Sequence, residues 1–338
     1  MNLFGWLFHR DTDDHGASRE DVREALERIV AIAPQVRLAN RYEARLAPVI
    51  GKTLGYAREL VLALPASRDA TPDAWAGDPL LRAMFATPDD IVSVIGLSNE
   101  VRGWLDEHFA ADHVHAVLSS RMVERRVLGA ALEGGVMRSD VARTTIGFED
   151  KRIRICDETD DALRRNIVLR IVEQLTLEAL SRFTAQEAQR DALNEHRALL
   201  NARMQMLGRR GAGMSGLVSP AEASGDMARL QRDVAENEAA LAALGSRAEA
   251  VDVQLRTLVD LLGEPSALIS VDTRTLCINQ MNLLVEEGSD ECGANVTLSL
   301  AHMPMQPPQT RAVQFVRIAR RDMPPAGTAL DGAEHWVL

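Results

Sequence analysis

Leu230, Val234, Asn237, Leu241, Leu244, Ala248, Val251, Leu255, Leu258 and Leu262 recur at alternating four- and three-residue steps. That spacing lines one stripe of a helix and requires a second helix to cover it. Its single interior amide, Asn237, is of the kind that fixes register at some cost in stability. The helix upstream supplies a less regular counterpart, with Leu193, Leu200 and Leu207 seven apart and Arg190, Arg197 and Met204 at the complementary positions. Between them runs "RRGAGMSGL", whose Gly211-x-Gly213-x-x-Gly216 has the glycine spacing of a dinucleotide-binding loop. Such a loop works only where a strand delivers the glycines to a helix N-terminus. Here a helix precedes them and "LVSPAEASGD" follows, so the glycines are read as a reversal. The expectation is an antiparallel coiled-coil arm over 158–263, its tip at about 208–226, with Leu241 near Glu195.

The rest of the chain divides by period. After an aromatic segment and linker at 1–16, residues 17–140 read as a helical domain. Ser18 begins its first helix, Pro34 and Pro48 interrupt it, and "PASRDATPDAWAGDP" at 65–79 has the composition of a loop. Shorter helices are expected at 79–86, 88–108 and 112–134. The period then changes in "RTTIGFEDKRIRICD", which predicts a β-hairpin over 143–157 turning at Glu149–Lys151. Beyond the arm, "ALISVDT", "TLCINQMNLLVE", "NVTLSLAHM" and "RAVQFVRIARR" predict a small antiparallel β module at 265–323. Its alternation slips between Ile278 and Leu283, as at a bulge or bend. Residues 324–338 form a tail. The fold class is therefore α+β, mainly α with a small β part.

Charge and cysteine content exclude several functions. Asp and Glu outnumber Lys and Arg 49 to 38, so a phosphate backbone is not the expected partner. Only Lys52 and Lys151 are available for lysine chemistry, and "VIGKT" at 49–53 has Leu46 where a phosphate-binding loop needs glycine. Three cysteines without a CxxC pair suit a reducing compartment, and the expected location is the cytoplasm. No Gly-x-Ser-x-Gly elbow occurs.

His108, Asp112 and His115 stand at i, i+4 and i+7, which on one continuous helix would share a face and could hold a metal. The competing reading makes "AAD" an interhelical break with Asp112 as a cap, and no metal or cofactor is assigned. Phe4, Trp6 and Phe8 concentrate three of the chain's thirteen aromatics in its first eight residues. They dock on the protein's own core, or on a partner or the inner-membrane surface.

The leading expectation is a non-catalytic interaction or scaffold protein that binds a protein partner or a second copy of itself. Its contact residues would be Leu230, Val234, Asn237, Leu241, Leu244, Val251, Leu255 and Leu258. A peripheral membrane or chaperone-like factor docking through residues 1–8 is the alternative, and so is an enzyme whose site, lined by His108, His113, His115 or the Arg-rich hairpin, lies between the helical and β parts.

Overall fold

The computed structural model describes residues 18–133, 136–213, 220–244, 249–285, 291–304 and 308–325. Phe4, Trp6, Phe8, Gly216, Ala248 and the tail from 326 onward lie outside them. The fold is α+β. The chain separates into two compact units, one of Met1–Ser18, Gly51–Val172 and Glu264–Leu338, the other of Arg19–Ile50 and Glu173–Gly263. The units are interleaved in sequence, so linear domain boundaries do not follow them.

The first unit is built on a sheet. β1 (Arg68–Asp69), β2 (His113–Glu133), β3 (Val136–Asp157), β4 (Ser270–Ile278), β5 (Ala294–Met303) and β6 (Gln309–Ala319) form it in the order β3-β2-β6-β5-β4, and β1 runs parallel to β6. The helix expected over 112–134 is thus a strand, and this is a correction. Val114, Ala116 and Leu118 alternate inward in period 2 and are fully buried, while β6 pairs with β2 from His113 to Ser120. The helical spacing of Val114, Val117, Leu118 and Met122 competes with that alternation in the sequence. Tertiary pairing with β6, about 190 residues away in sequence, decides between the two readings.

The hairpin expected at 143–157 is a second correction. Asp150 does have the positive φ of a turn, 48°, yet β3 continues through it as a bulge against β2. Arg311 holds that bulge, donating from one guanidinium nitrogen to the Asp150 carboxylate at 2.8 Å and from another to its carbonyl. The two β regions are therefore one sheet.

The slip between Ile278 and Leu283 is a turn in which Asn282 takes φ 55°. It returns the chain so that the Val285 N–H donates to the Cys277 carbonyl, and the Asn279 N–H to Leu283, on the β4 side. On the other side the Leu284 N–H donates to Thr144 and the Ile146 N–H to Asn282, each at 2.8 Å. Residues 282–285 thereby join β4 to β3, and the ladder closes edge to edge. Closure removes free sheet edges, which otherwise invite association.

After the short α3 (Pro72–Trp75), α4 (Pro79–Met84), α5 (Pro88–Gly96) and α6 (Asn99–Glu107) pack against the sheet's buried residues, sharing one apolar cluster with β2–β6. Each begins with a side-chain cap that satisfies free N–H groups, from Asp78, Thr87 and Ser98. Thr87 and Asp90 form a reciprocal capping box.

The second unit is helical. It holds α1 (Arg19–Ile32), a 3-10 turn at Pro34–Leu38, the start of α2 (Tyr42–Leu62), α7 (Asp160–Gly213) from Glu173, α8 (Pro220–Ala243) and α9 (Ala250–Gly263). Pro34 breaks the first helix as expected, and Pro48 is accommodated within α2. α7 runs through Gly211 and Gly213, so the reversal is narrower than 208–226. Arg190 on α7 donates to the Leu244 carbonyl at 2.5 Å, and Asn237 Nδ2 to His196 Nδ1 at 3.4 Å. The two contacts run in opposite directions along the helices, so α7 and α8 are antiparallel. Their register lies less than one turn from that placing Leu241 opposite Glu195.

Two substitutions probe these elements. A Cβ on Gly293 would collide with the Cys277 sulfur and stand 3.1 Å from Val285 Cγ2. Gly293→Ala should therefore cost about 1–3 kcal/mol in denaturant unfolding, most of it recovered in the double variant with Cys277→Ala. Asn237 is 4% exposed, and its Oδ1 accepts no hydrogen bond among the described residues. Asn237→Leu should raise the thermal midpoint, by about 1–2 kcal/mol of added stability, as apolar packing replaces an incompletely satisfied amide.

Candidate functional site

In the first unit the N-terminus of α7 organises a polar cluster. Thr159 caps the helix by accepting from Ala162 N–H at 3.1 Å, which leaves the Asp160 carboxylate for other partners. Arg164, one turn on, donates to Asp160 Oδ2 at 2.6 Å and to the Val61 and Pro65 carbonyls at 2.6 and 2.9 Å. Its guanidinium also lies 4.7 Å over the Phe315 ring. Ser67 donates both its N–H and its hydroxyl to Asp160 Oδ1. Burial would raise the Asp160 pKa, but the hydrogen bonds from Arg164 and Ser67 outweigh it and hold the group below the usual carboxylate range.

An ionised carboxylate can only accept, so the Ser67 O–H is committed to Asp160. Ser67 Oγ therefore meets His115 Nδ1, 3.1 Å away, with a lone pair. The neutral imidazole carries its proton on Nδ1, and Nε2 keeps a free lone pair. Burial lowers the His115 pKa, and the neighbouring His113 lowers it further. This is not an activated serine, because the hydroxyl proton points to Asp160 and the histidine acts as donor.

His113 stands two residues before His115 on β2, and the two rings meet edge to face with centroids 5.5 Å apart. His113 lines a cavity of about 850 Å³ with Asp69, Thr71, Asp73, Arg317 and Arg321. Two ion pairs cross it, Arg317 to Asp69 at 2.5 Å and Arg321 to Asp73 at 3.5 Å. A second hollow, of about 670 Å³, is bounded by Trp75, Pro79, Arg82, Met281 and Cys292.

The three residues considered as metal ligands do not share a helix face. His108 ends α6, stacks on Trp104 at 4.1 Å and bonds its carbonyl; Asp112 lies in the following loop; His115 is on a strand. Among the described residues no group of three or more His, Cys, Asp or Glu side chains is placed to hold a metal ion. What the helical reading hid is the pair His113 and His115. The signal was present in "HVH", since in a strand alternate residues share a face.

In the second unit the stripe assigned to interaction is turned inward. Leu230, Asn237, Leu255 and Leu258 are buried and Val234, Leu241, Leu244 and Val251 half-buried. On α7, Arg190 and Leu200 are buried, Leu193, Met204 and Leu207 half-buried, and Arg197 exposed. The chain thus covers its own seam. A second set on α7, Ala185, Ala188, Ala192, Glu195, Leu199, Ala202 and Met206, repeats the three–four spacing and is exposed throughout.

Comparison with protein-family models, curated proteins and solved structures finds no match to this chain. Among the described residues no helix is long and apolar enough to cross a membrane.

The thiols differ sharply in environment. Burial, reinforced by Glu100 and Asp157, pushes Cys156 up to about 12, whereas Cys292 is exposed. In the native protein at pH 8, iodoacetamide followed by peptide mass mapping should label Cys292 first and leave Cys156 unmodified until the chain is unfolded.

Proposed function

We infer that this protein is a non-catalytic interaction scaffold that works through an antiparallel coiled-coil arm formed by α7, α8 and α9. The observation that supports this is the exposed stripe on α7. Leu199 and Met206 sit one heptad apart, 69% and 66% exposed, flanked along the helix by alanines at helix-packing spacing. Large apolar side chains repeated on a helix-packing period are what a further helix covers. The small residues between them permit close approach.

The seam formed by Leu230, Val234, Asn237, Leu241, Leu244, Val251, Leu255 and Leu258 holds the arm together, while the second stripe meets the partner. The occupant is the arm of a second copy, which brings its own Leu199 and Met206 to the same kind of contact and yields a homodimer. Glu195, in the middle of the stripe, sets which offset between the two arms is tolerated, since a carboxylate facing its own copy is repelled.

Light scattering across a concentration series tests this with the full chain. The wild type should give a dimer mass, and Leu199→Glu with Met206→Glu should weaken association at least about tenfold, a change of about 1.4 kcal/mol, with unchanged far-UV circular dichroism. A monomer at every concentration, or a dimer indifferent to both substitutions, overturns the reading.

A further inference from the structure

We propose that His113 and His115 form a two-histidine chelate for a divalent transition-metal ion of the zinc class. Three features converge on β2. The first is spacing: residues i and i+2 of a strand project from one face, so the two imidazoles are neighbours by backbone geometry alone. The second is distance. With a metal–nitrogen bond of about 2.0–2.1 Å and a ring nitrogen about 1.2 Å from its ring centre, two imidazoles sharing an ion tetrahedrally hold their centroids roughly 5.3 Å apart. The observed separation is 5.5 Å.

The third feature is the support behind His115. Metal-binding histidines typically donate their second ring N–H to a carboxylate or another acceptor, which fixes the tautomer and raises ligand basicity. Here Nδ1 donates to Ser67, which donates to Asp160, which Arg164 in turn holds. The chain of hydrogen bonds leaves Nε2 as the available ligand atom and locks the ring's orientation.

Imidazole pairs suit zinc, copper and nickel rather than magnesium or calcium, which prefer oxygen. Two protein ligands leave the other coordination positions to water or an oxyanion. His113 lines the cavity of about 850 Å³, which gives a small ligand access to the ion. Arg317 lies directly across the ladder from His115, and Asp69 neutralises it at 2.5 Å, which limits its repulsion of a bound cation. Such a centre is independent of the arm, and its presence or absence leaves the dimer reading untouched.

The test is zinc titration of the untagged full-length chain by calorimetry in chelator-free buffer, with cobalt(II) visible absorption as a second readout. The wild type should bind about one ion per chain. His113→Ala, at an exposed position, and His115→Ala should each remove that binding. Ser67→Ala should weaken it about tenfold or more by freeing the His115 ring. His108→Ala should leave it unchanged. Failure of the wild type to bind zinc, or binding of unchanged affinity in folded His113→Ala protein, overturns the proposal.

Discussion

Residues 282–285 bond to strands on both of their edges, to β4 through Cys277 and Asn279 and to β3 through Thr144 and Ile146. Much of the first unit depends on that double pairing. Without it β3 and β4 would be open edges with unsatisfied N–H and C=O groups; with it the ladder closes, and the inward residues of five strands share one apolar cluster with α4–α6. The turn that makes it possible is costly locally. Asn282 adopts φ 55°, tolerable for asparagine, and anchors itself by donating from Nδ2 to the Ala83 carbonyl at 2.8 Å. The closure therefore also ties the sheet to α4.

The irregularities in β3 follow from the same constraint. A strand of 22 residues paired along its length with a strand of 21 accommodates its twist by bulging. Asp150 and Ile155 take positive φ near two of the register shifts, and both are held from outside the ladder, Asp150 by Arg311 and the Ile155 N–H by Glu100 at 2.8 Å. For a β-branched residue such as Ile155 this conformation is strained, and the surrounding contacts hold it there. Near the start of the same ladder, before these bulges take effect on β2, His113 and His115 are presented side by side.

In the second unit the governing term is different. Apolar burial along α7, α8 and α9 is interrupted by the buried polar side chains Thr176, Glu178, Arg190, Asn237 and Gln254, of which Arg190 and Asn237 bond across the hairpin. Buried polar pairs of this kind cost stability compared with leucine but penalise every register that separates them. The helices are thus held in one alignment, which leaves Leu199 and Met206 facing outward in a defined row. A surface with fixed spacing is what a helical partner can recognise.

Legibility in the sequence tracked how local the deciding forces were. The seam from Leu230 to Leu262, the helix starts at Pro79 and Pro88, the break at Pro34 and the bend after Ile278 rest on spacing or backbone restriction within a few residues, and each was readable; the cap at Ser98, which divides the helix expected over 88–108 into α5 and α6, was not. The α+β class followed from the readable ones. The identity of β2 was not readable, because beside the alternating Val114, Ala116 and Leu118 the apolar Val114, Val117, Leu118 and Met122 also stand at helical spacing, and only pairing with β6, distant in sequence, selects the strand. That one choice also converted His108, Asp112 and His115 from an imagined helix face into scattered groups, and set His113 beside His115 instead. Ser67 and Asp160, 93 residues apart, could be joined to His115 only by the folded chain. Sequence alone determined where helices must pair, since periodicity is a local property; tertiary structure decided which strands meet and which polar side chains converge, since hydrogen bonds between distant segments leave no trace in local spacing.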